Sequence, residues 1–225
     1  MRGITKRFSS NQRVQNIGIR VISQARKWNL IPHFPVISDR AIEYGFIMRE
    51  LDLQEGKVLD VGFCESPLPF ILAGLQCYEV YGIDIRQFPI EYPGLQTSVQ
   101  DIRQTTFPDR FFDRIMAVST IEHLGLAGRY GSYDDINADS KAVSEMTRIL
   151  KDNGRILITV PFGMASIDHI QRIYDDKSLE DLFSGLRIEK KEYAKQLGEY
   201  WAPATYEEVK KTQGYHAVVL LSLSK

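Results

Sequence analysis

Asp60, Asp84, Asp101 and His123 stand out by where they fall in the chain. Asp60 lies in Val58-Leu59-Asp60-Val61-Gly62-Phe63-Cys64-Glu65-Ser66-Pro67, a buried-strand pattern that empties into a tight turn and then a helix. Such a turn lets backbone approach a ligand at the carboxyl edge of a parallel sheet. Asp84 stands 22 residues beyond Gly62, near the ~20-residue spacing at which an acid accepts hydrogen bonds from ribose hydroxyls. A third apolar run ends in Asp101 and a fourth at Ser119-Thr120. Four successive strands therefore present polar groups at one edge, which indicates an adenosine-type ligand. Each acid also has a local alternative: Asp60 as a turn cap, Asp84 as the partner of Arg86, Asp101 as a turn residue before Arg103.

The turn discriminates between ligands. A dinucleotide needs glycines and free N–H groups around its pyrophosphate, yet the second and third glycines of G-x-G-x-x-G are missing here. Glu65 adds negative charge, and Pro67 and Pro69 remove two donors from the first helical turn. S-adenosylmethionine carries an adenosine, no phosphate and a positive sulfonium, so an acidic surround of Asp60, Glu65 and Asp84 suits it better.

The elements that must position these residues alternate in period. Lys57 to Gly62, Glu79 to Asp84, Thr97 to Ile102, Phe112 to Val118 and Arg155 to Val160 are short β-branched runs separated by helical or loop segments, the pattern of a parallel α/β sheet. The clearest helix runs from about Ser140 to Lys151, capped by Asp139 or Ser140, with Gly154 just beyond its end. Ser38 or Asp39 caps an earlier helix with an apolar face of Ala41, Ile42, Gly45, Phe46 and Met48. After Pro161 come a helix from Ser178 to Phe183, a strand from Arg187 to Tyr193, a polar excursion and a terminal strand from His216 to Leu223.

Composition narrows the class. The 225 residues are 44% apolar and 25% charged, with 28 basic and 29 acidic side chains, values of an ordinary globular protein. No apolar run approaches the ~20 residues needed to span a bilayer, and the start lacks the apolar segment of a secretion signal. Cys64 and Cys77 cannot build a disulfide framework, so a reducing, cytoplasmic setting is expected. Residues 1–38 hold seven basic side chains and no acid. There Val14, Ile17, Val21, Ala25 and Trp28 recur at helical spacing, which predicts an amphipathic helix with a solvated basic face. A lid over the active site, a membrane-surface helix and an organelle transit segment are its alternatives. Two parts are expected: a cap of N-terminal helices over 1–55 and a ligand-binding domain over 56–225.

The order VLDVG, VYGIDI, an acidic third-strand end, STIEHLGL and LKDNGRILITVP resembles the class I S-adenosylmethionine-dependent methyltransferases over about residues 56–162. Within them, SPLP, GRYGSYDD and Arg172-Ile173-Tyr174 are similar to small, uncharacterised bacterial methyltransferase-like proteins, some linked to cell-surface glycans. The resemblance implies a Rossmann-like three-layer α/β sandwich. Its seven-stranded, mostly parallel sheet would run in order 3-2-1-4-5-7-6 with an antiparallel last strand. By motif position it implies that Asp60 and Gly62 bound the methionine part and that Asp84 holds the ribose. Asp101 and Ile102 would meet the adenine, and Ser119 would lie beneath the ligand. Cys64 and Ser66 stand where that family usually has glycines, so Cys64 joins the cofactor-binding set on a turn of different shape. Ser66 followed by Pro67 would make a good helix start.

Methyl transfer is an in-line displacement accelerated chiefly by positioning, and a hydroxyl acceptor also benefits from a base. Glu122 and His123 follow the fourth strand, where the acceptor should lie; a capping or packing histidine is the plain alternative. The other histidines show no ligand spacing with this pair, so no metal is expected. Arg129, Tyr130 and Arg172 are the candidate acceptor-binding residues, the arginines as bidentate grips on phosphate or carboxylate, with pairing to Asp134 or Asp175 as the alternative. The expected activity is methyl transfer from S-adenosylmethionine to a small-molecule or glycan-like acceptor, at oxygen. The rivals are a non-catalytic binding or assembly module of the same fold, a nucleic-acid methyltransferase using the basic arm, and a dinucleotide-dependent oxidoreductase. Nucleic acid is disfavoured because Ser119-Thr120-Ile121-Glu122 replaces the Asn/Asp-Pro-Pro-aromatic pattern of nucleobase amino-methyltransferases.

Overall fold

The computed structural model describes residues 38–52, 54–89, 91–130 and 135–225; the basic segment with Val14 to Trp28 lies outside them. Strands β1 (Gly56–Val61), β2 (Tyr78–Asp84), β3 (Leu95–Val99), β4 (Phe112–Val118) and β5 (Leu150–Pro161) form the parallel part of one sheet. After a two-stranded ribbon of β6 (Ser166–Ile167) and β7 (Arg172–Ile173), β8 (Arg187–Leu197), β9 (Tyr200–Ala204) and β10 (Ala217–Ser224) complete it. The spatial order is 3-2-1-4-5-10-8-9. This is the expected 3-2-1-4-5-7-6 order, its last strand antiparallel to both neighbours, extended by one edge strand. That eighth strand comes from the polar stretch after Tyr193, where alternation is too weak to read as a strand.

Both faces of the sheet are buried, and the strands show it by parity. Leu59, Ile115, Ile156, Ile158 and Val219 pack on one side, Val58, Met116, Leu157 and Val218 on the other. The first side is covered by α4 (Ala138–Ile149) and α5 (Asp176–Leu182) through Met146, Ile149 and Leu179. The second is covered by α1 (Asp39–Glu50) and α2 (Leu68–Gly74) through Phe46, Ile47, Leu68 and Leu72. Two short helices, α3 (Ala127–Tyr130) and α6 (Tyr206–Val209), lie in connections.

Two local readings change. Asn137, and neither Asp139 nor Ser140, precedes α4, because Asp139 is buried and accepts from the Tyr174 hydroxyl at 3.0 Å. Ser38 does cap α1, accepting from Arg40 N–H at 3.2 Å. The buried face of α1 is Glu43, Phe46, Ile47 and Glu50, with Met48 turned to solvent. Glu43 is wholly inaccessible: Oε1 accepts from Ser119 Oγ at 2.7 Å and Thr159 Oγ1 at 2.6 Å, and Oε2 from Arg40 at 2.6 Å. One carboxylate thus ties α1 to the ends of β4 and β5.

Glu43→Ala should cost about 2–3 kcal/mol in urea unfolding, because it strands two buried hydroxyls and one arginine. A change below ~0.5 kcal/mol would mean that α1 is held by its apolar face alone.

Candidate active site

Gly62 ends β1 in the left-handed region at φ 79°. A Cβ there would come within 2.8 Å of Thr120, whose Oγ1 donates to the Val61 and Val118 carbonyls at 3.1 and 3.0 Å. The glycine is required twice, by conformation and by the approach of the β4 turn. Phe63 to Glu65 then make one 3₁₀ turn. Ser66, extended, accepts from Leu68 N–H at 3.2 Å, and Pro67 opens α2. Cys64 has no left-handed backbone, so this tighter turn dispenses with the usual glycine without strain. Strain sits instead at Ser119, φ 43°, which sends its hydroxyl to Glu43.

These loops surround a cavity of about 260 Å³ at the carboxyl edge of the sheet. Asp60, Gly62, Asp84, Asp101, Ile102, Ser119 and His123 all line it. Cys64 is absent from the lining, and burial pushes its thiol up to about 11, which leaves it a packed residue. Arg40 and Tyr44 of α1, with Arg86 and Arg103, also face the cavity. Arg86 and Arg103 are read in the sequence only as neighbours of Asp84 and Asp101, and Arg40 and Tyr44 carry no such sign. An Asp-x-Arg step at both strand ends and the helical spacing of Arg40, Glu43 and Tyr44 were the available signals.

The electrostatics differ from a simple acidic wall. Burial alone would raise Asp84, but the Arg86 guanidinium outweighs it and holds the acid below its ordinary range. Asp101 is raised by burial and more than offset by Arg103 in the same way. Both local pairings are therefore present, on acids that still line the cavity. Asp60 has no arginine. It is 1% exposed, its Oδ2 has no hydrogen-bond partner, and burial, reinforced by Asp84 and opposed by a Ser66 hydrogen bond, pushes it up to about 7.

On the β4 side, His123 is buried with Nδ1 2.7 Å from the Ile170 carbonyl. That contact makes Nδ1 the donor and leaves the neutral ring's lone pair on Nε2, 3.6 Å from Glu122 Oε1. Glu122 is buried behind the histidine and is not part of the cavity wall. Arg172 lies elsewhere: 3% exposed, it donates to the Leu124 carbonyl at 2.6 Å and the Ile136 carbonyl at 3.2 Å and stands 3.5 Å from Asp139. It braces the loop between β4 and α4 through these carbonyls and is not part of this cavity's wall. The side chains of Arg129 and Tyr130 lie outside the described residues. Among the described residues there is no cluster of ligands for a metal.

Residues 59–158 match the family described as a methyltransferase domain. Over that stretch the chain is similar to methyltransferase domains, and its fold is that of solved S-adenosylmethionine-dependent methyltransferases. Solved structures share the fold at low identity. A methyltransferase of Methanosarcina mazei is 15% identical with a TM-score of 0.57, over 80% of this chain and 96% of that one. The [4+2]-cyclase SpnF is 16% identical with a TM-score of 0.62, over 87% of each chain. The Burkholderia thailandensis 1,6-didemethyltoxoflavin-N1-methyltransferase, solved with that compound and S-adenosylhomocysteine, is 12% identical with a TM-score of 0.56, over 83% of this chain and 77% of that one. No curated protein sequence gives a significant match.

The raised Asp60 makes a signed prediction. The unfolded carboxyl loses its proton near its ordinary 3.8 and the native one near 7, so the native state holds more protons in between. Asp60 therefore subtracts stability as pH rises through that window, by at most about 1.4 kcal/mol per pH unit. In urea unfolding, Asp60→Asn should fall less steeply than wild type between about pH 4.5 and 7. Parallel curves would place the proton elsewhere.

Proposed function

We propose that this protein transfers the methyl group of S-adenosylmethionine to a hydroxyl of a small-molecule or glycan-like acceptor. The observation that carries the reading is Asp60: a buried carboxylate oxygen without a partner, on a cavity wall beside a helix start whose Pro67 and Pro69 have no N–H to give a phosphate. That donor set fits a cationic ligand and does not fit a pyrophosphate.

Asp60 and Gly62 would hold the methionine part, Asp84 the ribose hydroxyls, Asp101 and Ile102 the adenine, and Ser119 would lie below. Bound there, the cofactor supplies an electrophilic methyl group. The chain's own work is to orient the acceptor and to take its proton. His123 lines the cavity with its ring oriented by the Ile170 carbonyl at Nδ1, and it would take that proton. Glu122, behind the ring, is a positioning residue that would stabilise the imidazolium as the hydroxyl proton arrives. Arg40 and Tyr44 form the wall contributed by α1. Among the described residues, no helix is long and apolar enough to cross a membrane, and we place the activity in the cytoplasm.

A non-catalytic or differently reacting relative is the second reading, favoured by the glycine-poor turn and by SpnF, a [4+2]-cyclase on this fold. Calorimetric titration with S-adenosylmethionine and S-adenosylhomocysteine separates the two; no binding near millimolar ligand would end the cofactor assignment. Asp84→Ala should weaken either ligand by ~1–3 kcal/mol. His123→Ala should leave that affinity within about twofold while methyl transfer from labelled cofactor to a panel of hydroxyl compounds and glycans falls 10²- to 10⁴-fold. Equal turnover removes His123 as base, and label found only in nucleic acid would reassign the acceptor.

A further inference from the structure

Both cavity acids that would meet the nucleoside already have a tenant, and it arrives by the same three-residue step. Asp84-Ile85-Arg86 closes β2, and Asp101-Ile102-Arg103 follows β3. At each, the arginine's backbone N–H donates to Oδ1 at 2.9 Å, and this turn folds the side chain back onto the carboxylate. Arg86 Nε and Nη2 then lie 3.0 Å from Oδ1 and Oδ2 of Asp84, and Cys64 N–H reaches Oδ2 at 3.4 Å. Arg103 Nε lies 3.0 and 2.9 Å from the two oxygens of Asp101, and Nη2 2.5 Å from Oδ2.

A carboxylate has about four lone-pair sites; four donors meet Asp84, and three meet Asp101, where Arg103 Nε is shared between both oxygens. A ribose diol therefore cannot be added to Asp84 and must replace a donor already there, while at Asp101 an adenine amino group must compete with the Nε–H that spans both oxygens.

Resting on the methyltransferase reading, we propose that Arg86 and Arg103 are built-in competitors for the nucleoside-binding acids and so determine which ligands enter. Each arginine has a second acid to retain it. Arg86 Nη1 is 2.6 Å from Glu65, and Arg103 Nη1 is 3.4 Å from Asp135. When a ligand takes Asp84 or Asp101, the guanidinium stays paired on that outer acid, and no cation is stranded. The exchange at Asp84 occurs at the cavity mouth, where the Arg86 side chain is 37% and that of Glu65 53% exposed. A ribose with two adjacent hydroxyls returns two donors for the two side-chain N–H groups it displaces. A ligand with fewer donors leaves Asp84 short and is rejected, which is selection by unpaired polar groups.

The test is calorimetric titration of S-adenosylhomocysteine into full-length wild type, R86M, R86K and R103M, at pH 8 and fixed salt, with thermal unfolding of each apo protein compared first. R86M should bind about 5- to 20-fold more tightly than wild type, R86K should fall between them, and R103M should also tighten, because a charge-assisted competitor has been removed. Unchanged affinity in R86M and R103M overturns the competition. Weaker binding overturns it too, since the guanidinium would then be a ligand contact. If neither wild type nor variants bind near millimolar ligand, the methyltransferase reading falls and takes this inference with it. Binding by wild type without tightening removes the inference alone.

Discussion

A carboxylate in a dry crevice must find donors or keep its proton, and this site is organised by how four of them meet that demand. Glu43 takes two hydroxyls and an arginine. Asp84 and Asp101 each take the guanidinium two residues on. Asp60 has only a Ser66 hydrogen bond against its burial, so it holds its proton up to about 7. The three arginine-paired acids are neutralised within the protein, so the one at the end of β1 is where a ligand's positive charge gains most. On the proposed reading, the field that would suit a sulfonium is local to Asp60 and is not spread over the wall.

This arrangement depends on the order of strand ends. Parallel strands 3-2-1-4 bring Asp101, Asp84, Gly62 and Ser119 to one edge. Burial on both faces fixes the register, because a slip of one residue would turn Asp60 into the α4 side of the core. Glu43 then adds a constraint from outside the sheet. It pins α1 across the ends of β4 and β5, and with it Arg40 and Tyr44. The left-handed backbone at Ser119 is part of the same connection, since the hydroxyl that accounts for this conformation is the one Glu43 receives.

What could be read in the chain beforehand follows from range. Strands β1, β2 and β4, the turn at Gly62 and the acids at the strand ends are local patterns of period and punctuation, and they are legible. The cap of α4 was misread because Asp139, a good cap by type, is claimed by Tyr174, 35 residues away. Arg172 looked free to grip an acceptor because its carbonyl partners lie on a loop about 36–50 residues earlier. Arg40 and Tyr44 are not legible as site residues, because a helix before β1 gives no local sign that it reaches the cavity. The edge strand β9 was missed because its partner, β8, supplies the pairing that its own sequence does not announce.

The turn after β1 shows why departure from a family pattern need not mean loss of its site. A glycine-rich loop lets backbone approach a ligand by adopting left-handed conformations. Here a single left-handed residue, Gly62, turns the chain, and one 3₁₀ turn carries it to Ser66 with Cys64 in ordinary backbone geometry. Of the two side chains that replace glycine, Cys64 stays off the cavity wall and the Ser66 hydroxyl meets Asp60, Tyr44 and Leu68 N–H, while Phe63 beside them packs over Gly82. The backbone still passes the cavity at Gly62, while Phe63 on the loop's far side is buried in the core. Pro67 and Pro69 fit the same economy of donors on the proposed reading, because a helix start that receives no phosphate would have no use for the N–H groups they lack.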